Sequence, residues 1–303
     1  MAECLVTTLK ENVEDASLLK LGEMTFRLGN NGTDLPWFTF RTMFSANNYA
    51  AIVDGDGYFT DSTGTQNYGK EISFPGNRDV RVSSPGCKIK LYNKYIMSTL
   101  SLHGISEGID LDDFSPCTGL VNLLLNDFSH KNTVSGKLKS LKKCSRLTSL
   151  ILYNADLGGS SINDLPNLSN FINLSLAGSN VTGNLSAFTG NTTLTRLAIS
   201  RTDIEGSLAG IPCQTIRFVG VGNTRVSGDL SLFAGNTTID SLAIYGSSNV
   251  TGNISSLSQC TNLQILNVSN TAVTGDTSSL ANLTKLTSFD YTNTAITGTW
   301  PLT

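Results

Sequence analysis

Apolar residues recur along this chain with a period longer than that of a helix or a strand. One unit reads Leu263-x-x-Leu266-x-Val268-x-x-Thr271-x-Val273-Thr274-Gly275. Another reads Leu194-x-x-Leu197-x-Ile199-x-x-Thr202-x-Ile204-Glu205-Gly206. The closing glycine returns at Gly136, Gly159, Gly183, Gly206, Gly228, Gly252, Gly275 and Gly298, at spacings of 22 to 24 residues. A degenerate earlier unit ends near Gly108. After the glycine comes a second apolar pair, as in Leu185/Phe188, Leu208/Ile211, Leu230/Phe233 and Ile254/Leu257. Within each unit the pairs Leu150/Leu152, Leu174/Leu176 and Leu197/Ile199 alternate, which predicts a short strand pointing both side chains inward. One such strand cannot bury its apolar face alone. Stacked units build a parallel sheet over a continuous core. The glycine is expected to permit a tight reversal after the strand.

The period breaks down before residue 96. Runs at Leu21–Leu28, Trp37–Phe44, Tyr49–Val53, Glu71–Phe74, Val80–Ser83 and Ile89–Tyr92 have β character. Turn signals such as Gly29-Asn30-Asn31-Gly32, Asp54-Gly55-Asp56-Gly57 and Pro85-Gly86 separate them. The expected organisation is an N-terminal arm over 1–17, a β-rich capping or docking domain over 18–95, and a repeat solenoid over 96–303. The small domain is read as an antiparallel β-sandwich that covers the open end of the repeats. The arm is polar, with Glu11, Glu14 and Asp15, and reads as a docking peptide.

The repeat resembles the leucine-rich repeat over about residues 97–303. That resemblance implies an α/β-type solenoid, here mostly β and loop, with a period of about 23 residues. The family often places asparagine just after the strand, where its amide bonds buried backbone of neighbouring turns. This chain has Ala155, Ser179, Thr202, Thr224, Ser247, Thr271 and Thr294 there. A ladder of hydroxyls serving the same groups is therefore expected. The Thr-x-Val-Thr-Gly style is similar to repeats of the Bacteroidetes and of their phages. The Asp54-Gly-Asp-Gly turn resembles that of small immunoglobulin-like domains preceding such repeats.

Composition narrows the function. Charged residues are 15% of the chain and the net charge is -3, so no strong field points to nucleic acid or to acidic lipid. No apolar run approaches the roughly 20 residues of a membrane helix, and no membrane insertion is expected. The N-terminus Met1-Ala2-Glu3-Cys4-Leu5-Val6 has no signal-peptide pattern, which favours assembly without export. The six cysteines form no CxxC pair. Cys117, Cys144 and Cys260 share one repeat position and read as small buried residues, with a Cys117–Cys144 bridge left open.

Candidate chemistry is sparse. The Asp54-Gly55-Asp56-Gly57 turn lacks the further ligands and closing glutamate of a calcium loop and reads as a plain turn. His103 and His130 have neither metal spacing nor a nucleophile motif nearby. No paired carboxylates suit glycoside hydrolysis, and no cofactor is expected. The basic stretch Lys137–Arg146 places leucines inward and lysines outward, as a solvated face or a contact for an acidic protein partner. Several Asn-x-Ser/Thr sequons arise from the repeat's own composition.

What remains is the strip of outward strand positions on the concave sheet face. Tyr153, Arg196, Phe218, Tyr245, Asn267 and Asp290 stand along it. Aromatics and arginine anchor interfaces, and aromatics also stack on sugars. The function expected is binding without catalysis, as a head- or tail-fibre component on a phage virion surface. The N-terminal domain would dock to other virion proteins, and the solenoid would face a host surface glycan or protein. The alternatives are a bacterial cell-surface adhesin and the carbohydrate-binding part of an enzyme system. Trp300 replaces an aliphatic residue at the last turn, and a second copy covering that end would give a homodimer.

Overall fold

The computed structural model describes residues 24–28, 37–42, 49–54, 58–60, 66–68, 72–74, 78–82, 87–91, 97–103, 108–126 and 133–300. It divides into two compact units, residues 1–158 and 159–303.

In the first unit, strands Met24–Leu28, Cys87–Leu91, Tyr49–Asp54 and Ile72–Phe74 form one antiparallel sheet. A second antiparallel set joins Tyr58–Thr60, Arg78–Val82 and Trp37–Thr42. Trp37–Thr42 then pairs antiparallel with Met97–His103. From there the direction changes. Met97–His103, Asn122–Asn126 and Ser149–Leu152 run parallel, each one repeat further along the chain. The repeat thus starts inside this unit, directly against its antiparallel strands. The arm, residues 55–57 of the acidic turn and His130 lie outside the described residues, as do the side chains of the expected sandwich core.

The second unit is repeat throughout. Strands Asn173–Ser175, Arg196–Ala198, Phe218–Gly220, Ser241–Ala243, Ile265–Asn267 and Ser288–Asp290 form one parallel sheet in unbroken register. Their central residues, including Leu174, Leu197, Val219, Leu242 and Leu266, are fully buried. A turn follows each strand, and there the chain visits the left-handed region at Asn223, Asn270 and Asn293, with φ of 53, 55 and 56°. Asparagine tolerates that conformation better than other residues with a Cβ. A second set of parallel strands then builds another sheet, from Thr182–Asn184 through Asp203–Ser207, Arg225–Asp229 and Val250–Thr251. Thr274–Asp276 and Ala295–Thr297 continue the pattern as a separate pair. Each unit closes with a single turn of 3-10 helix, as at Leu208–Gly210, Leu230–Phe233 and Ile254–Leu257. The architecture is the parallel-sheet solenoid that the period implies, made of strands and loops.

The repeated glycine has a more specific role than a reversal. The residue after it caps the 3-10 turn. Asp229 accepts from the Ser231 backbone N–H at 2.9 Å, and Asn253 accepts from that of Ser255 at 2.9 Å. That cap side chain fills the space where the next unit's glycine would carry a Cβ. A Cβ on Gly275 would lie 2.6 Å from Asn253 Oδ1, and its φ of +123° already disfavours a side chain. The glycine of one turn is therefore fixed by the cap of the turn before it.

The expected hydroxyl ladder forms between Thr224 and Ser247, whose hydroxyls lie 3.3 Å apart across turns, while other hydroxyls at this position bond within their own turn. Thr202 donates to Ile199 O at 2.6 Å, Thr224 to Val221 O at 2.6 Å, and Thr271 to Val268 O at 2.5 Å. These bonds close each hydroxyl on its own turn. Ser247 is an exception, donating across to Val221 O at 2.9 Å. A threonine reaches the carbonyl three residues back, whereas the longer asparagine amide can span to the next turn.

Further cross-turn bonds come from the position that also holds the cysteines. Asn236, fully buried, donates through Nδ2 to Cys213 O at 2.7 Å and Ile216 O at 2.9 Å. Its Oδ1 accepts the backbone N–H groups of Thr238 and Ile239. Asn191 repeats the arrangement with Leu168 O and Phe171 O, and with Thr193 N–H and Leu194 N–H. Where cysteine occupies the site, its thiol makes a weaker contact, as from Cys260 to Phe233 O at 3.4 Å. Cys117, Cys144, Cys213 and Cys260 are all free and buried. Burial pushes the Cys144 and Cys260 thiols up to about 11 and that of Cys213 up to about 12. They are protonated and inert at neutral pH.

The cap argument predicts unequal costs for two glycine substitutions. Gly275→Ala meets both the Asn253 cap and the backbone penalty, and should cost roughly 3 kcal/mol or more. Gly190→Ala, with φ of +84° and open space around its Cβ, should cost roughly 1 kcal/mol. Urea denaturation of the two variants checks the ranking.

Candidate binding face

Strand alternation fixes which side chains line the outer face of the main sheet. In the second unit three rows run across the strands. The first carries Asn173, Arg196, Phe218, Ser241, Ile265 and Ser288. The middle row carries Ser175, Ala198, Gly220, Ala243, Asn267 and Asp290. The third follows two residues later, with Ser200, Gly222 and Tyr245 among its members. The centre is a shallow floor of small residues, with Ala198 only 5% exposed and both glycines buried.

Two aromatic rings border that floor in defined poses. A Cβ placed on Gly222 would lie within 2.6 Å of Cδ1, Cε1 and Cζ of Tyr245. Three consecutive ring carbons at nearly one distance mean that the ring's face, not its edge, lies over the Gly222 backbone. Tyr245 is half-buried. The missing side chain is what permits this pose, and Gly222 acts as a positioning residue. Ser200 Oγ accepts the Gly222 N–H at 3.0 Å and holds that backbone in place. On the first row, the Arg196 guanidinium carbon sits 3.7 Å from the centre of the Phe218 ring. Such cation–π stacking orients the guanidinium without using its N–H groups.

Arg196 differs from its neighbours in charge partners. Arg217 pairs with Asp240 at 3.1 Å and Arg225 with Asp203 at 3.1 Å, both on exposed surface where such pairs contribute little. Arg196 has no carboxylate partner among the described residues. Beside it, on the Asn173–Ser175 strand, Asn173 Oδ1 and Ser175 Oγ are buried without a hydrogen-bond partner.

At the far edge the polarity changes sign. Asp290 accepts the Thr292 backbone N–H at 3.1 Å, and this bond is the main cause that lowers its pKa below the usual carboxylate range. It is ionised at neutral pH. Asn267 Oδ1 accepts the Ser269 N–H at 3.1 Å and its hydroxyl at 2.8 Å. The face therefore runs from an unpaired cation, past two rings, to an amide and an anion.

Of the residues singled out from sequence, Arg196, Phe218, Tyr245, Asn267 and Asp290 share this sheet face. Tyr153 belongs to the first unit, half-buried just beyond the Ser149–Leu152 strand. Sequence reasoning gave no weight to Ile265, whose side chain is 44% exposed on the same face. An isoleucine at an outward position was the available signal. It also missed the role of Gly222, which only the ring pose reveals. The Lys137–Arg146 cluster folds as expected, with Leu138 and Leu141 buried and Lys139, Lys142 and Lys143 exposed. Among the described residues, no cluster of His, Cys, Asp or Glu could hold a metal ion, and no helix is long and apolar enough to cross a membrane.

The comparison with solved structures agrees with this architecture. The Arabidopsis receptor kinase HAESA, solved with the peptide hormone IDA and the co-receptor SERK1, is 19% identical over 66% of this chain, with a TM-score of 0.51. The fold is a leucine-rich-repeat solenoid. The likeness shows the fold alone, and the match spans 35% of the HAESA chain. An internalin C2 from Listeria monocytogenes is 20% identical, with 66% of this chain and 81% of that chain covered and a TM-score of 0.48. A plant ice-binding protein is 20% identical, with 67% and 65% covered and a TM-score of 0.49. No family model and no curated protein matches the chain.

The ring pose carries a direct spectroscopic consequence. A backbone lying under an aromatic face is shielded by the ring current. The Gly222 Hα resonances should lie upfield of the ordinary glycine range and return to it in Tyr245→Leu. Two-dimensional carbon–proton NMR checks this, and unshifted wild-type resonances would show that the ring does not rest on Gly222.

Proposed function

We propose that this solenoid is a non-catalytic attachment protein that binds a partner through the outer face of its main sheet. The observation carrying this reading is the half-buried ring of Tyr245 held flat on Gly222, on the same face as an Arg196 guanidinium that is stacked on Phe218 and has no carboxylate partner among the described residues. Rigid aromatics and arginine on a small, flat floor give large contact area at little entropic cost. Burying such groups against a partner is favourable, whereas in the free protein they gain nothing for stability. The leucine-rich-repeat neighbours support a binding role for the solenoid in general.

The finer reading is a virion surface protein, a head- or tail-fibre component. Its first 95 residues would dock to other virion proteins, and the solenoid would meet a host surface glycan or protein. Support for it is the style of the repeats, such as Val273-Thr274-Gly275-Asp276, which is similar to that of phages of the Bacteroidetes.

Two measurements test the proposal. Fluorescently labelled protein should bind host cells, and Tyr245→Ala should weaken that binding roughly tenfold or more, the usual cost of removing an interface anchor. Thr274→Ala, on the Thr274–Asp276 strand outside the main sheet, should leave it unchanged. Equal loss in both variants, or loss in neither, contradicts the assignment of the face. Mass spectrometry of purified virions should find the chain at structural stoichiometry. Absence there with enrichment on the bacterial surface would reassign it as an adhesin.

A further inference from the structure

We infer that the ligand of this face is an acidic oligosaccharide, with a sugar carboxylate taken by Arg196 and pyranose rings stacked on the aromatic surface. The inference rests on the binding reading above and names the chemistry that the face recognises.

The argument starts from what the face offers. Tyr245 presents a half-buried ring held in a fixed plane by Gly222. A pyranose has a flat C–H face that packs on an aromatic ring while its hydroxyls point sideways. Beside the ring, Ala243 carries only a methyl group, and the Phe218 ring leans over Gly220. Ile265 and Phe218 add apolar surface on the first row. Peptide side chains are anchored by depressions, whereas this surface is a shallow strip with rings lying against its floor.

Polar groups at the margin fit hydroxyls and a carboxylate. Asn267 and the ionised Asp290 provide an amide and two acceptor oxygens in neighbouring register. A sugar hydroxyl both donates and accepts, so one class of ligand serves all of these. A neutral sugar would leave Arg196 without a counter-charge. Its guanidinium is pre-oriented by Phe218, and its planar donor fork matches a carboxylate in two parallel hydrogen bonds.

Length follows from the register. Arg196 and Tyr245 are two strands apart, about 10 Å across the sheet. Arg196 and Asp290 are four strands apart, about 20 Å. A single sugar cannot span even the shorter interval, and a short oligosaccharide can. The opposite charges at the two ends also fix its direction, with the acidic sugar at Arg196 and away from Asp290.

The test uses the full-length protein on an array of sialylated and uronate-containing oligosaccharides, each beside its carboxyl-reduced counterpart. At least one acidic member should be retained, and its reduced form should bind roughly tenfold or more weakly, as expected for loss of a charge-assisted pair. Arg196→Gln should abolish the difference between the two forms. Tyr245→Ala should weaken both forms, and Tyr245→Phe, which keeps the ring, should restore binding. The inference is overturned if carboxyl reduction has no effect, or if Arg196→Gln binds acidic members as well as wild type does. It is also overturned if no saccharide binds while host-cell binding remains sensitive to Tyr245. In that last case the binding face stands and its partner is a protein. Loss of both saccharide and cell binding in wild type would overturn the face as well.

Discussion

A solenoid buries the backbone of every turn between two others, and each buried N–H and C=O must find a partner there. That requirement shapes the rest of this molecule. Strand groups are paired by the parallel ladder. The loops between strands are not, and an unpaired buried carbonyl costs on the order of 1–3 kcal/mol. Asn191 and Asn236 answer this by bonding two carbonyls and two N–H groups each, one turn to the next. Threonines after the strand close their own turns. Cap residues such as Asp229 and Asn253 hold the start of their 3-10 turns and occupy the space left by the following glycine. Such bonds, repeated from turn to turn, keep successive strands in register.

Register is what makes a binding face out of single residues. Tyr245, Phe218 and Arg196 belong to different repeats and are brought together only because each strand pairs with the next without slippage. A slip by one residue would turn every outward side chain into the core. The face is thus preformed by the same interactions that hold the core, and binding need not pay for assembling it. Its candidate functional groups are a half-buried ring, a guanidinium with no carboxylate partner among the described residues, and an exposed isoleucine.

Much of this was legible in the sequence. The glycine spacing and the alternating pairs such as Leu197/Ile199 specified the period, the strands and the inward positions. The same alternation named Arg196, Phe218, Tyr245, Asn267 and Asp290 as outward. Less legible was the polar ladder. Cysteine, leucine and asparagine all occupy its position, at Cys213, Leu168, Asn236 and their equivalents, so composition there looks merely small or apolar. Threonine after the strand suggested a ladder of hydroxyls, yet Thr202 and Thr271 each bond the carbonyl three residues back in their own turn. The pose of Tyr245 could not be read at all, because it depends on a glycine 23 residues earlier in the chain.

Native-state hydrogen exchange followed by NMR tests most directly whether stacked turns are locked by these buried amides. If they are, the Thr238 and Ile239 amides, which donate to Asn236 Oδ1, exchange as slowly as the strand amides Val221 and Ile244. In Asn236→Ala the two loop amides should then exchange much faster. Fast exchange of Thr238 and Ile239 in the wild type, with the strand amides still protected, would contradict the account. It would mean that the strands alone hold the register and that the loops between them are free.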